Sequence, residues 1–353
     1  MEMPLYQRYL AIKHANPELS ARDLAKLLNI SEAELTHARV GKEAERLDIT
    51  ASALLTELAA VGVTRSITAN NSARHELLGE YQNLRLHGHL GLLLNPRALD
   101  LRLFFRHWDA IFSLRETTPQ GEQLSIQCFD FQGNAIHQIY CTADTNPHAW
   151  QALLAKHRAQ ENPPLALQPP VEEPTPKPPG DSAAIDAEWR NMNDIHQFFM
   201  LLKRNNITRQ QAFRAVGDDL AYRVDNQALR HILDAAHSCQ NEIMLFVGNS
   251  GCMQIFTGVV GQLTPSQDKN PPYAQWITLQ EQQFSLHLTT SAIAESWVTR
   301  KPTKEGLVSS LEILDKQGKH ILQVFGQRSE GQAEQHEWHQ QLSKLTAIGS
   351  PDE

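Results

Sequence analysis

A chain of 353 residues with 41% hydrophobic and 20% charged residues is long enough for two ordinary domains and reads as soluble and globular. A formal net charge of −8 argues against a protein that coats nucleic acid, which needs a basic surface. Cys128, Cys141, Cys239 and Cys252 form no C-x-x-C spacing, which excludes zinc knuckles, redox pairs and covalent cofactor attachment and suits reduced thiols in a cytoplasm. No apolar run has the length that crosses a bilayer, and M-E-M-P-L-Y-Q-R-Y-L lacks the basic and apolar regions of an export signal.

Along the chain, S-A-R-D-L-A-K-L-L-N-I-S-E-A-E-L-T-H-A-R (20–39) has the rhythm of a helix-turn-helix, with Ala25 at the tight contact and a second helix opening at Ser31. Ser31-x-x-Glu34 has capping-box spacing. Carboxylates where a reading helix would meet phosphate favour an ordinary helical hairpin, and a DNA-binding regulator stands as the alternative reading. His87-Gly88-His89 sets two imidazoles on one face of an expected strand with no third ligand at a recognisable spacing, so a hairpin-edge pair is expected rather than a metal site.

The proline-rich run E-N-P-P-L-A-L-Q-P-P-V-E-E-P-T-P-K-P-P-G (161–180) is expected to be an extended linker with no core of its own. It separates an N-terminal repeat (1–160), across a linker (161–182), from a C-terminal repeat (183–353). S-I-Q-C-F-D-F-Q-G-N-A-I-H-Q-I-Y (125–140) aligns without gaps on S-L-E-I-L-D-K-Q-G-K-H-I-L-Q-V-F, which begins 185 positions on, at Ser310. Each copy reads as strand, D-x-Q-G turn and strand. The same offset pairs L-R-L (101–103) with L-H-L (286–288), and Arg115 with Arg300. N-S-A-R-H-E-L-L from Asn71 is laid on N-S-G-C-M-Q-I-F from Asn249, 178 positions on. The difference implies a seven-residue insertion around 262–275, where T-P-S-Q-D-K-N-P-P-Y reads as a loop. The expected class is α+β: two tandem homologous halves, each a large antiparallel β-sheet with flanking helices.

N-D-I-H-Q-F-F-M-L-L-K-R-N-N (193–206) reads as an amphipathic helix with Ile195, Phe198, Phe199 and Leu202 as its buried stripe. His196, Phe199, Met200 and Lys203 share a flanking face. A histidine beside an apolar stripe is more often a packed side chain than a ligand. An imidazole, an aromatic wall and a cation are nevertheless what a haem requires. Thr208-x-x-Gln211 is a second capping box, and H-E-W-H (336–339) falls one residue short of the H-E-x-x-H zinc spacing. The chain has no Gly-rich phosphate loop and no G-x-S-x-G elbow.

D-I-H-Q-F-F-M-L-L-K-R-N-N-I-T-R-Q-Q-A-F-R-A-V, N-E-I-M-L-F-V-G-N-S-G-C-M-Q-I-F-T-G, A-E-S-W-V-T-R-K-P-T, F-G-Q-R-S-E-G and L-N-P-R-A-L-D-L-R-L-F together resemble the HemS/HmuS/ChuS family of bacterial haem-utilisation proteins. The resemblance runs from about residue 5 to about residue 343 and skips the linker. It implies sheet-and-helix halves with one haem b, held non-covalently in a cleft between them. It implies His196 as the proximal iron ligand and Arg102 as the distal, catalytic residue, acting directly or through water. Phe104 and Phe199 become pocket residues, Arg209, Lys301 and Arg328 become propionate partners, and His75 belongs to a secondary haem site. Phe325 stands where the family has a tyrosine, while Tyr140 is kept at the equivalent first-half position.

Family members include haem carriers and haem-degrading enzymes. The resemblance thus implies a cytoplasmic protein of a haem-uptake system that traffics or stores haem and opens the ring with O2 and an external reductant. NAD(P)H is the implied donor, with an inner-membrane haem importer and a reductase as partners and no nucleic acid. A carrier without enzymatic activity is the other reading.

Overall fold

The computed structural model describes residues 3–118, 121–169, 181–265, 283–329 and 331–348, and the backbone of 276–280. The first half runs α1 (Leu5–Ala15), α2 (Ala21–Leu28), α3 (Glu32–His37), β1 (Ala44–Arg46), α4 (Ala51–Glu57), β2 (Gly62–Ala69), β3 (Ala73–Gly79), β4 (Leu84–His87), β5 (Leu90–Leu93), β6 (Asp100–Phe104), β7 (Trp108–Thr118), β8 (Gly121–Asp130), β9 (Ala135–Thr145) and α5 (Pro147–His157). The second runs α6 (Ser182–Arg190), α7 (Gln197–Asn205), α8 (Arg209–Ala215), β10 (Ala221–Val224), α9 (Ala228–Cys239), β11 (Ile243–Gly248), β12 (Cys252–Gly258), β13 (Leu263–Pro265), β14 (Trp276–Gln280), β15 (Phe284–Thr289), β16 (Glu295–Thr303), β17 (Gly306–Leu314), β18 (His320–Gly326) and α10 (His336–Ser343).

The chain divides into two compact units. Unit 1 is Met1–Ala69, Glu76–Val171 and Asn249–Gln254, and unit 2 is Asn70–His75, Glu172–Gly248 and Ile255–Glu353. Each unit takes a short segment from the other half of the sequence. Unit 1 carries the antiparallel order β1-β7-β8-β9-β2 and the meander β4-β5-β6. Unit 2 repeats it as β10-β16-β17-β18-β11, with the meander β13-β14-β15. The α+β class with tandem antiparallel halves is therefore the observed one.

The D-x-Q-G hairpins match at the expected offset. In each, the Asp side chain accepts from backbone N–H groups two and four residues on, at Gln132 and Asn134 and at Gln317 and Lys319. Gly133 (φ 80°) and Gly318 (φ 74°) occupy the left-handed region that the turn requires. The upstream alignment needs a correction. Asn70 and Asn249, 179 positions apart, play the same part: each side-chain oxygen accepts from the N–H groups two and three residues on. The pairing from Asn71 was one residue out, and a one-residue slip reverses the face of every strand side chain. The insertion is accordingly six residues. It lies between β13 and β14, in a stretch (266–275) outside the described residues.

Three other expectations change. Residues 161–169 have no regular secondary structure, but Leu165 packs on the Ala33, Phe112 and Phe129 core and the Gln168 N–H donates to Phe131 O at 2.8 Å. The opening of the linker is therefore docked on unit 1, and 170–180 lie outside the described residues. α3 keeps its capping box at Ser31, yet Ala33, Leu35 and Thr36 are buried and Ala33 N–H donates to Gly133 O. The Glu32 carboxylate is held by Arg22 and by Ala135 N–H. α3 is thus packed on the β8–β9 hairpin, and the side chains it leaves partly exposed include the carboxylates Glu32 and Glu34, which would repel phosphate. His87 ends β4 opposite Leu90, and Gly88 (φ 59°) and His89 form the two-residue turn, so the two imidazoles do not share a strand face.

Inside unit 1, His137 is completely buried between Tyr81 Oη (2.6 Å) and Thr68 Oγ1 (3.1 Å), and Tyr81 Oη in turn meets Ser66 Oγ at 2.7 Å. Burial disfavours the imidazolium and lowers the His137 pKa to about 3. Between that value and the ordinary 6.5 the unfolded chain binds the extra proton, so stability rises with pH across this window. Acidification from pH 6.5 should destabilise the protein by up to about 1.4 kcal/mol per pH unit from this group. Urea melts of His137→Gln should show a flatter slope there, and an unchanged slope would remove His137 as the cause.

Candidate functional site

In unit 2, His196 caps α7, Phe199 lies on it, and Arg209 and Lys301 approach its Phe198 ring. The inner face of α7 is fixed by an aromatic core in which Phe198 lies 4.6 Å from Trp189 and 6.1 Å from Phe213, with Leu201 fully buried beneath. Of the expected stripe, Phe198 is buried and Leu202 packs against the core, but Phe199 is 62% exposed, next to Met200 at 47%, and Leu201 is buried in its stead. Helix geometry sets His196, Phe199, Met200 and Lys203 on one outward face, leaving two large apolar side chains in water beside an imidazole. The helix ends at Asn206, whose left-handed conformation closes it against Leu202 and Lys203 carbonyls.

His196 sits at the N-cap of α7, and its side chain is 87% exposed. One carboxylate oxygen, Asp194 Oδ1, accepts both from the His196 backbone N–H (2.8 Å) and from ring Nδ1 (2.7 Å). These two bonds hold the Asp194 carboxyl below the usual carboxylate range. Asn193 and Gln197 brace the same turn by reciprocal bonds of 2.9 and 3.1 Å. With Nδ1 engaged as a donor, the Nε2 lone pair faces outward, as an iron ligand must.

Arg209 opens α8 within the Thr208–Gln211 capping box, its guanidinium 5.5 Å from the Phe198 ring centre. Lys301, at 5% exposure, places Nζ 5.0 Å from the same ring. An ammonium has three donors, and those of Lys301 are taken by Thr299 Oγ1 (2.7 Å), Glu312 Oε1 (3.0 Å) and Ser310 Oγ (3.4 Å). Its expected role as a propionate partner therefore does not hold in this conformation. Burial alone would raise the Glu312 carboxyl, but Lys301, His320 and Arg209 outweigh that and hold it well below its usual range. Arg328 is half-buried, and its charge acts on Glu334, which accepts from Ser309 N–H. In the F-G-Q-R stretch, a Cβ on Gly326 would meet Trp338 at 2.5 Å, so only glycine allows α10 to approach β18. Phe325 turns edge-on to Phe246 at 5.1 Å.

His75, in unit 2, is fully buried and edge-on to Phe284 at 4.9 Å. It is closed to a second haem in this conformation. A groove of about 290 Å³ lined by Glu188, Asn191, Met192, Gln197, Met200 and Arg204 opens beside α7. It excludes His196, and its rim charges Arg204 and Glu188 already pair with each other, so it is not the centre of the site.

Arg102 and Phe104 belong to unit 1, on β6. Arg102 is ion-paired to Asp100, and among the described residues its hydrogen bonds, to Asp100, Leu101 O and Leu93 O, all run through Nη1. Burial raises the Asp100 carboxyl, and the Arg102 charge opposes the rise. Phe104 is half-buried, its N–H bonded to Gly251 O at 3.0 Å. Asp194 and Asp100 were missed by the sequence reading. Both stand two residues before the candidate side chain they bond, His196 and Arg102, a spacing at which Asp side chains bond locally.

A family profile described as the haemin-degrading HemS.ChuX domain matches residues 29–157 and 206–345. The hemin transport proteins HmuS of Yersinia pestis and HemS of Yersinia enterocolitica are each 53% identical over 345 residues, 98% of this chain and 98% of theirs. Among solved structures, the heme degrading enzyme ChuS of Escherichia coli O157:H7 matches with a TM-score of 0.91 at 47% identity, over 97% of this chain and 98% of that one. Holo-PhuS, a heme-binding protein from Pseudomonas aeruginosa, matches with a TM-score of 0.93 at 36% identity, over 98% of this chain and 100% of that one. The profile falls once on each half, either side of the linker and of α7. On this evidence the chain belongs to the HemS family of haemin-degrading HemS.ChuX domains.

Proposed function

We propose that this chain is a cytoplasmic protein of a bacterial haem-uptake system that binds haem b through His196 and opens its ring oxidatively, using O2 and an external donor such as NAD(P)H. The observation that carries the reading is the outward imidazole of His196, held by Asp194 on the same helix face as exposed Phe199 and Met200. That face offers a nitrogen donor for iron and apolar cover for a porphyrin. The names of the relatives, hemin transport proteins and a heme degrading enzyme, support the substrate class. An inner-membrane importer as haem donor and a reductase as electron source complete the proposal. Among the described residues no helix is long and apolar enough to cross a membrane.

Haem is the substrate and supplies the redox-active iron. In this proposal His196 binds it and Phe199 shields its face from water. Arg209 and Arg328 supply positive charge for the propionates, each charge-assisted bond worth about 1.5–3 kcal/mol when shielded. Phe104 is assigned to the pocket lining. Arg102 donates hydrogen bonds at the reacting centre and, being always protonated, is no proton source there. Asp100 holds Nη1 of that guanidinium.

Incubating the haem complex with NADPH under air, with catalase present to remove peroxide, should give steady loss of the Soret band. Arg102→Ala should keep the haem and slow that loss by roughly 100-fold, the scale on which losing one oriented donor acts. Wild-type turnover in that variant would remove Arg102 from catalysis. A stable Soret band in the unmodified protein would reduce the function to haem carriage.

A further inference from the structure

We propose that Asp194 is a positioning residue for the iron ligand: it fixes the Nδ1-protonated tautomer of His196, aims Nε2 outward and makes that nitrogen a stronger donor to ferric than to ferrous iron. The inference rests on the haem-binding reading above and specifies how that site is tuned.

The geometry is unusually constrained for an exposed loop. An 87% exposed histidine would ordinarily sample several rotamers and both neutral tautomers. Here one carboxylate oxygen bonds the His196 backbone N–H and its ring at once, at 2.8 and 2.7 Å. The backbone bond fixes the carboxylate relative to the chain, so the ring bond fixes the imidazole relative to α7. Asn193 and Gln197 close the same turn from outside, and Phe198 anchors the first turn of the helix in the aromatic core. Because the acceptor is an anion, the Nδ1–H bond pushes electron density toward Nε2, a polarisation that a neutral acceptor gives weakly. Such a donor favours the more highly charged state of the iron. Asp194 thus separates two functions that a bare histidine would leave coupled: the ring is already oriented before haem arrives, and the potential at which the iron accepts an electron is lowered.

The test uses the full chain with and without haem. In the ligand-free protein at alkaline pH, ring 15N spectra of His196 should show the Nδ1-protonated form. Asp194→Ala should revert it to the Nε2-protonated form that free histidine prefers. Asp194→Asn keeps an oxygen acceptor without the charge, so it should retain the tautomer and the melting temperature. Its haem complex should nevertheless shift the ratio of ferric to ferrous affinity by roughly tenfold, the lower end of outer-shell effects, which is about 59 mV upward for one electron. The iron–histidine stretch of the reduced complex should fall in parallel. An Nε2-protonated His196 in the unmodified protein, or an unchanged potential in Asp194→Asn, would overturn the proposal. If His196→Ala instead binds haem with an unaltered spectrum, the haem reading fails, while the 15N result still decides whether Asp194 sets the tautomer.

Discussion

Replacing His196 by alanine should abolish the haem spectrum of the native complex while leaving the apoprotein folded. The two outcomes separate because the side chain is 87% exposed, whereas α7 is anchored through buried Phe198 and Leu201. Surface substitutions of this kind change stability by about 0.5 kcal/mol or less. The loss of affinity should exceed the roughly 10–100-fold that removing an outer-shell partner costs, because the donor itself is gone. Haemin titration followed at the Soret band, beside a thermal melt of the same variant, checks both parts. A native Soret band in the variant would transfer the ligand role elsewhere. Loss of the folded baseline would show that His196 holds the helix start rather than the iron.

The sequence made the repeat legible wherever a turn demands particular side chains. D-x-Q-G marks both hairpins because Asp must accept from two backbone N–H groups and Gly must take positive φ, and both copies keep that chemistry. The capping boxes at Ser31 and Thr208 were legible for the same reason. The Asn70 turn was not, because Asn70 and Asn71 are adjacent and only the hydrogen bonds tell which one closes the loop. Periodicity also put Phe199 in the buried stripe of α7 and left Leu201 out of it. Ile195 lies in the preceding turn, closed by bonds of the tighter three-residue type, so counting 3.6 residues per turn from Ile195 admits Phe199 beside Phe198, although only Phe198 is buried. Position alone could not reveal that Lys301 is spent on a buried carboxylate, since Glu312 is eleven residues away in sequence and meets it only across the β16–β17 pair. Nor could it reveal that His75 faces a closed core.

The buried charge cluster beneath α7 sets the second expectation, that Glu312→Gln destabilises the protein more than Lys301→Met. Glu312 is fully buried and is the shared anion of the group: Lys301 and His320 pair with it, Gln323 donates to Oε2 at 2.7 Å, and the Arg209 charge acts on it. Removing its charge leaves the buried Lys301 ammonium without a counter-ion, and breaking a buried pair from one side costs about 3–5 kcal/mol. Removing Lys301 leaves the carboxylate with His320, Gln323 and Arg209, so the cost should fall below that range. The pH dependence has a definite sign. The folded-state pKa of Glu312 lies below its unfolded value, so its contribution is complete above the ordinary carboxylate pKa of 4.5 and is lost as pH falls through the folded value. Urea melts at pH 7 and pH 4 for the parent and both variants measure the ordering and the sign together. Equal losses in the two variants would show that the pair, not the carboxylate, is the stabilising unit. Since Lys301 Nζ lies 5.0 Å from the Phe198 ring, loosening this cluster should first appear as faster amide exchange across Gln197–Asn205, below the global transition. Haem affinity in Glu312→Gln should then fall through disorder of the helix that carries His196, with the ligand itself intact.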